Sequence, residues 1–531
     1  LIEKRGYSFG HSIPEQRTKP VVPFLPEKGV ILEVKRASPS KGDIAPYLNA
    51  SETALLYGKG GAAAVSVLTE ENFFKGNLDD LCTVSNELYA KYPQTAVLRK
   101  DFLTDIEEIE ISYLCGADVV LLIARILSKE SLCAMAQRAL SLGMSILCEI
   151  REEEDLDKYK TMCLNIHEKN KVFLGINTRD LASFILDPLT PSSFFFDMEK
   201  TFGLVYESGV KTPEAASFAG NMGFHGLLMG EAAAKNPENV YAFVDHFKHS
   251  QPDMNSRMWT LYASALRNRK KENKYSPYVK ICGLTDINDV RDCIELGADM
   301  LGFIFSKNSK RCVNRDFLLE VNELVREKKR KTEQNTEKYV KPLLIGVITN
   351  PESFEAQEAF TLVREGVLDK IQFHNCVIPP PADKDWKDIP RYAAVKIGKD
   401  EDVETLFSLL DKGQPRALID AGSEDGNGGT GQRIEEAFIT RIQGKTPLWL
   451  AGGIKPSNVG YIIQKFMPEL IDIASGVEMD INSTTEDESK SELKAGKKDK
   501  LKLIELFKNI EDACEKVSKA SYSEKKEGKD E

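Results

Sequence analysis

Two ionisable residues set two positions apart open the chemistry of this chain. Glu33 and Lys35 lie at the end of the apolar run Val30–Val34, so an extended strand turns both to the same face. The run breaks into Ser38-Pro39-Ser40-Lys41-Gly42, a loop composition. A carboxylate and an ammonium at a strand's C-terminal end, ahead of a Ser/Gly loop, suit an anionic substrate at the mouth of an α/β barrel. Taken alone, the pair reads as well as a buried ion pair in a structural strand. Further along, Lys100, Glu149, Asn177 and Glu207 also stand at the ends of short apolar runs. Several lysines and carboxylates converging on one mouth point to acid–base chemistry. In the second half, Val279-Lys280-Ile281-Cys282-Gly283 ends a run in a thiol, and Leu418-Ile419-Asp420 ends another in a carboxylate. A lone Cys282 reads as a small buried hydrophobe. With Asp420 and three Gly-rich turns (Gly428-Gly429-Thr430-Gly431, Gly452-Gly453 and Ser475-Gly476) it reads as catalytic.

The elements that must position these groups follow a regular rhythm. Apolar runs recur at Val30–Val34, Ala63–Leu68, Ala96–Leu98, Val119–Ile123, Met144–Leu147, Val172–Ile176, Leu204–Tyr206 and Gly226–Met229. Stretches of helical period, such as Ile106–Leu114 and Leu132–Leu142, separate them. A second set of eight follows at Tyr278–Ile281, Met300–Phe305, Leu343–Ile348, Lys370–Phe373, Ala393–Ile397, Ala417–Ile419, Leu448–Leu450 and Ile471–Ala474. Eight βα units favour a closed parallel barrel over an open doubly wound sheet, and the count occurs twice. The expected fold is therefore α/β, two tandem (β/α)8 TIM barrels. The expected bounds are 1–255 for the first barrel, 256–276 for a basic linker, 277–519 for the second barrel and 520–531 for a disordered tail. Residues 327–341 read as a charged extension of a helix and the loop after it, and 481–500 as a flexible Ser/Thr/Glu/Lys stretch.

Length and composition agree. A chain of 531 residues, 42% apolar and 29% charged, accommodates two barrels of about 250 residues each. A net charge of -11 argues against nucleic acid or an anionic membrane as the main partner. Ten cysteines without a CxxC pair suit reduced thiols in the cytoplasm, and six histidines without ligand spacing predict no metal site. No window reaches the ~18 continuous apolar residues of a membrane span. The expectations are a cofactor-free, cytoplasmic, monomeric enzyme. The chain starts Leu-Ile-Glu-Lys-Arg, without an initiator Met, and reads as trimmed at its front.

The strand-end motifs of the first half are Glu33/Lys35/Ser38, Leu68-Thr69-Glu70-Glu71-Asn72-Phe73-Phe74-Lys75-Gly76, Arg99-Lys100-Asp101-Phe102 and Cys148-Glu149-Ile150. They continue with Asn177-Thr178-Arg179-Asp180-Leu181, Glu207-Ser208-Gly209 and Gly230-Glu231. In order and spacing, from Val30 to Ala234, they closely resemble the indole-3-glycerol-phosphate synthase family. The resemblance implies closure of an indole ring from 1-(o-carboxyphenylamino)-1-deoxyribulose 5-phosphate, with loss of CO2 and water and no cofactor. It implies Lys100 as the general acid on the substrate carbonyl and Glu149 as acid/base in the dehydration. Glu33, Lys35 and Asn177 would orient the sugar portion, with Glu207 in the same catalytic set. It further implies Pro39, Phe74, Phe102 and Leu181 as the slot for the aryl ring, Ser38 beside it, and Arg179 on the carboxylate. Ser208, Gly209, Gly230 and Glu231 would hold the phosphate. The family has a longer segment with a lid helix ahead of the first strand, so a shortened lid is expected here.

The second half, from Tyr278 to Val517, resembles the phosphoribosylanthranilate isomerase family. That resemblance implies an Amadori rearrangement producing the substrate of the first activity. Asp420 would be the acid that opens the ribose ring and Cys282, as thiolate, the base at C2. Arg311 would bind the anthranilate carboxylate, and Gly429, Gly453, Ser475 and Gly476 would cradle the phosphate, with His374 beside the substrate. Where the family has Leu-His-Gly this chain has Phe373-His374-Asn375. For the pair to work near neutrality, a cation near Lys280 or Arg311 must lower the thiol, and burial must raise the acid. Other phosphosugar barrels, such as an epimerase or decarboxylase, need metal or Asp/Lys arrays that the sequence lacks. A degenerate second barrel is disfavoured because a full residue set stands in each half.

Overall fold

The computed structural model describes residues 6–179, 185–198, 203–271, 274–334, 341–421, 434–479 and 496–527, with helix side chains described only to residues 330 and 520. The chain divides into two compact units, residues 1–264 and, apart from Asp411–Gly413, residues 265–531. Each unit is a closed barrel of parallel strands with helices between them, so two (β/α)8 barrels in tandem are present as expected.

In the first barrel the strands are β1 Gly29–Val34, β2 Ala64–Leu68, β3 Ala96–Lys100, β4 Val119–Ile123, β5 Ser145–Ile150, β6 Val172–Asn177, β7 Gly203–Glu207 and β8 Gly226–Met229. Each pairs with its sequence neighbour, and β1 closes on β8 through Leu32 opposite Met229. The interior is filled by Ile31, Leu98, Leu121, Leu147, Val205 and Leu228, one apolar layer below the polar strand ends. Val22, Phe24 and Leu25 seal its lower end, with Phe24 edge-on to Phe173 at 4.8 Å. The segment before them is pinned by the buried Asp118, which receives Lys19 at 2.8 Å and Arg17 at 2.5 Å. Residues 6–28 contain no helix.

In the second barrel the strands are β9 Tyr278–Cys282, β10 Met300–Phe305, β11 Leu343–Ile348, β12 Lys370–His374, β13 Arg391–Ile397, β14 Ala417–Ala421, β15 Trp449–Leu450 and β16 Leu470–Ile473. Its core is continuous from Ile281, Phe303 and Phe373 out to the helix faces of Leu318, Phe360 and Leu506. The charged run after residue 327 continues the helix Arg315–Gln334, and 335–340 and 480–495 lie outside the described residues.

Two expected boundaries differ. Residues 256–271, expected as linker, belong to the helix Met254–Lys271. Trp259, Tyr262 and Ala263 sit at i, i+3, i+4 spacing and are buried, so this stretch is an amphipathic helix. The final helix runs Lys500–Glu527, well past residue 520, where the irregular tail was expected. Its alternating Lys and Glu keep forming helical pairs such as Glu515–Lys519.

Candidate active sites

The first-barrel site is built on one ammonium among carboxylates. Lys100, ending β3, points its Nζ at Glu33 (3.8 Å), Glu149 (3.9 Å) and Glu207 (4.0 Å), which end β1, β5 and β7. Lys35 completes the group, its Nζ donating to Glu33 Oε1 at 3.1 Å. Four strands deliver these side chains because period-2 alternation turns every one of them inward above the apolar layer. Burial opposes charge on Glu33, but Lys35 and Lys100 outweigh it and hold the carboxyl below the ordinary range. Burial also opposes the Lys100 ammonium, and the three carboxylates more than offset that, so it stays protonated. Glu207 goes the other way. Burial, reinforced by Glu149, pushes its carboxyl well above the usual range, and neither of its oxygens has a hydrogen-bond partner. The cluster thus sets a firmly charged ammonium among carboxyl groups whose proton affinities are pushed apart, Glu33 downward and Glu207 upward. Asn177 Nδ2 donates to Glu149 Oε1 at 3.4 Å.

The apolar wall lies next to this cluster. Phe74 and Phe102 rings are 6.2 Å apart, and Lys35 Nζ sits 5.4 Å above Phe74. The loop carrying Phe74 is organised by a residue the sequence did not single out. Glu70 accepts the backbone N–H groups of Asn72 (2.9 Å), Phe73 (2.7 Å) and Phe74 (3.1 Å). Ser38 is buried in a two-stranded hairpin, Ala37–Ser38 against Gly42–Asp43, and Pro39 is exposed at its turn. Arg179 donates to Ser40 Oγ at 3.2 Å, and its N–H reaches Asn177 Oδ1 at 2.9 Å. Leu181 lies outside the described residues.

After β7, Ser208 and Gly209 both take positive φ (71° and 82°), and the Ser208 N–H donates to Leu228 O at 3.3 Å. Gly230 and Glu231 begin the short helix Glu231–Lys235. Glu231 is held by Lys41 (2.6 Å) and Lys235 (2.8 Å), which outweigh burial and bring it down to about 2. Its side chain therefore ties down Lys41.

The second-barrel site gathers Cys282, His374 and Asp420 at the ends of β9, β12 and β14. His374 Nε2 is 3.7 Å from Asp420 Oδ2. Burial raises Asp420, as expected. Cys282 differs from expectation: burial pushes the thiol up, and Lys280 offsets only part of it. Arg311 also lies within reach of the thiol's charge, but its guanidinium forks onto Glu478 at 2.7 and 2.8 Å. Expected as a ready carboxylate receptor, Arg311 is already occupied by the Glu478 carboxylate. Lys498, fully buried, braces the same corner, donating to Cys282 O (2.7 Å), Ala474 O (3.0 Å) and Glu478 Oε1 (3.1 Å). Gly453 and the Ser475–Val477 turn stand at the ends of β15 and β16, where Gly476 passes so close to Ile454 O that no Cβ fits. Gly429 lies outside the described residues.

Beneath this site runs a buried polar layer the sequence reading missed. Lys280 Nζ donates to Asp472 Oδ2 (2.6 Å) and Gln372 Oε1 (2.7 Å), and Tyr392 OH donates to Gln372 Oε1 (2.8 Å). The available signal was a lysine two positions before Cys282 and a glutamine two before His374, each on the inward face of its strand.

Comparison with known proteins matches each half to a family model. The family model of indole-3-glycerol phosphate synthase matches residues 21–246, and that of N-(5'-phosphoribosyl)anthranilate isomerase matches residues 279–485. A multifunctional tryptophan biosynthesis protein of Schizosaccharomyces pombe is 30% identical over 470 residues, covering 85% of this chain and 57% of that protein. Its namesake in Phycomyces blakesleeanus is 30% identical over 491 residues, covering 85% and 60%. This chain thus spans less than two thirds of the length of those relatives. An indole-3-glycerol phosphate synthase of Aliarcobacter butzleri is 40% identical over 208 residues, covering 39% of this chain and 74% of that protein.

Proposed function

We propose, for a chain that belongs to the indole-3-glycerol phosphate synthase family through its first half and to the N-(5'-phosphoribosyl)anthranilate isomerase family through its second, two consecutive reactions. The second barrel isomerises N-(5'-phosphoribosyl)anthranilate to 1-(o-carboxyphenylamino)-1-deoxyribulose 5-phosphate. The first barrel closes that product to indole-3-glycerol phosphate, releasing one CO2 and one water.

In the isomerase, Asp420 is kept protonated to higher pH by burial and gives its proton to the ribose ring oxygen as C1–O breaks. Cys282 takes the proton from C2, and the resulting enolamine becomes the ketone. Both groups sit above their ordinary values, so the working pair, thiolate with carboxylic acid, is a minority of the resting enzyme. Arg311, once released from Glu478, receives the anthranilate carboxylate in bidentate fashion.

In the synthase, the Lys100 ammonium protonates the C2 carbonyl oxygen while the aryl carbon bearing the carboxylate attacks. Loss of CO2 restores the aromatic ring, and the hydroxyl then leaves as water, assisted by Glu149. Glu207, whose carboxyl burial holds above the usual range, serves as the nearby proton reserve. Glu33, Lys35 and Asn177 orient the sugar, the Phe74–Phe102 wall holds the aryl ring, and the Ser208-Gly209 turn and Gly230 receive the phosphate.

The observation that carries this reading is the Lys100 ammonium within 4.0 Å of three carboxylates from three strand ends. The test is to assay the two conversions separately on the purified chain. Absence of either activity overturns the reading for that half.

A further inference from the structure

The polar layer under the second-barrel site fixes where one proton sits. Lys280 is fully buried at the end of β9, and its ammonium carries donors only. At 2.7 Å from the Gln372 amide it must face the oxygen, Oε1. Tyr392 OH adds a second donor to that oxygen at 2.8 Å. Gln372 therefore has its amide locked, and its NH2 group must point the other way, where it meets His374 Nδ1 at 3.3 Å. A nitrogen that faces an NH2 donor has to be the acceptor. A proton on Nδ1 would set two donors face to face in a buried site. The single imidazole proton is left on Nε2, the nitrogen turned towards Asp420 Oδ2 at 3.7 Å.

Resting on the isomerase reading above, we infer that Gln372, clamped by Lys280 and Tyr392, is a positioning residue that holds His374 as the neutral Nε2–H tautomer, aimed as a hydrogen-bond donor at Asp420. When Asp420 gives up its proton to the ribose oxygen, a negative charge appears on its carboxylate. The Nε2–H is then already in place to stabilise that charge, without a cation that would keep Asp420 deprotonated from the start. The charged groups facing His374 are Lys280 on β9, Lys396 on β13, Asp420 on β14 and Asp472 on β16. Burial and the two lysines prevail, bringing His374 down to about 4 and keeping it neutral at working pH.

The experiment is histidine-selective 15N NMR of the full chain at neutral pH, with the His374 signal identified by its loss in His374→Asn. The expected wild-type pattern is an unprotonated Nδ1 and a protonated Nε2. Gln372→Glu keeps an oxygen for Lys280 and Tyr392 but offers a second acceptor to the imidazole. It should move the proton to Nδ1 or charge the ring. Isomerase kcat should then fall about 10- to 100-fold, the worth of one hydrogen bond to a charged group, with KM within about twofold. The synthase activity of the same preparation should be unchanged and serves as a folding control. Gln372→Met takes the amide donor away from Nδ1 without adding an acceptor, so it should lose the preference for Nε2–H and lower isomerase kcat, which allows a decision even if Gln372→Glu fails to fold. A protonated Nδ1 in the wild type overturns the inference, as does a Gln372→Met enzyme that keeps both the Nε2–H pattern and its kcat. So does a Gln372→Glu enzyme whose tautomer has changed while kcat stays within twofold. A wild type without isomerase activity overturns the proposed reaction instead, and the spectrum still decides the tautomer.

Discussion

Replacing Lys100 by Met removes one charge and keeps most of the side chain's volume. In the structure that charge lies 3.8 to 4.0 Å from three carboxylates. At an effective dielectric of about 20, each ionised carboxylate at that distance attracts the ammonium by about 4 kcal/mol before desolvation. Breaking such a buried group from one side costs about 3–5 kcal/mol of stability. The chemical loss is separate: without the acid that protonates the carbonyl, kcat of the synthase should fall by about 10²–10⁴. The sign of the pH effect follows from the two shifts. Glu33 is held below its unfolded value, so its contribution is present above that value and is lost as pH falls through the folded one. Lys100 is held above its unfolded value of 10.5, so its contribution is present below 10.5 and fades only as pH rises through the higher folded value. The stability gap between wild type and Lys100→Met should therefore be widest near neutrality, narrowing in acid as Glu33 protonates. Indole-product fluorescence reads the rate, urea melts at several pH values read the gap, and the isomerase activity checks that the other half is intact. A Lys100→Met enzyme with more than about a tenth of wild-type kcat, or a gap constant from acid to neutral pH, would refute the reasoning.

Three further outcomes follow from particular contacts. Cys282→Ser should lower isomerase kcat by about 10²–10⁴, because a buried hydroxyl is far harder to ionise than a thiol, and a stopped-time assay retaining more than about a tenth rejects the thiolate base. Glu70→Gln removes one acceptor from a carboxylate that takes three N–H groups, so the Phe74 loop should loosen and synthase KM rise about tenfold with kcat little changed; an unchanged KM would count against Glu70 as the loop's organiser. Gly175→Ala places a methyl against Glu207 Oε1, displacing that carboxyl without altering any titratable residue. Synthase kcat should drop about tenfold or more while isomerase kcat holds, and equal rates for both would show that Glu207's position is unimportant.

Both barrels were legible because each strand is a short apolar run set off from the next by a longer intervening stretch, a pattern that depends only on neighbours in sequence. The same logic exposed Glu33, Lys100, Glu149 and Glu207, each the last inward-facing position of its strand, and Lys35 just past the end of β1. What depended on distant partners was not legible. Arg311 looked free for a carboxylate, yet Glu478 occupies it from across the barrel mouth, 167 residues away in the chain. The layer of Lys280, Gln372, Tyr392 and Asp472 comes from four strands; the two-residue spacing puts Lys280 and Gln372 on inward faces but does not show that they meet. Cys282 was expected to be lowered by a neighbouring cation; burial proves stronger than Lys280, and depth in the fold is not written in the residues around a cysteine. The helix Met254–Lys271 was taken for linker because its basic end, Arg267–Lys271, hid the buried face of Trp259, Tyr262 and Ala263.

Closure of the first barrel has a consequence for synthesis on the ribosome. Leu32 of β1 pairs with Met229 of β8, about 200 positions later. At a translation rate of about 5–20 residues per second, β1 and β2 emerge on the order of 10–40 s before the strand that completes the ring. Throughout that interval β1 presents an open edge of six buried-type residues, Gly29–Val34, to whatever lies near the tunnel exit. Glu33, the residue that later joins the Lys100 cluster, lies within that edge and is charged before Lys100 is available to pair with it. A solvated carboxylate in the middle of an unpaired strand discourages edge-to-edge association of nascent chains, so Glu33 also acts as a gatekeeper during synthesis, and Glu33→Leu should lower soluble yield as well as activity.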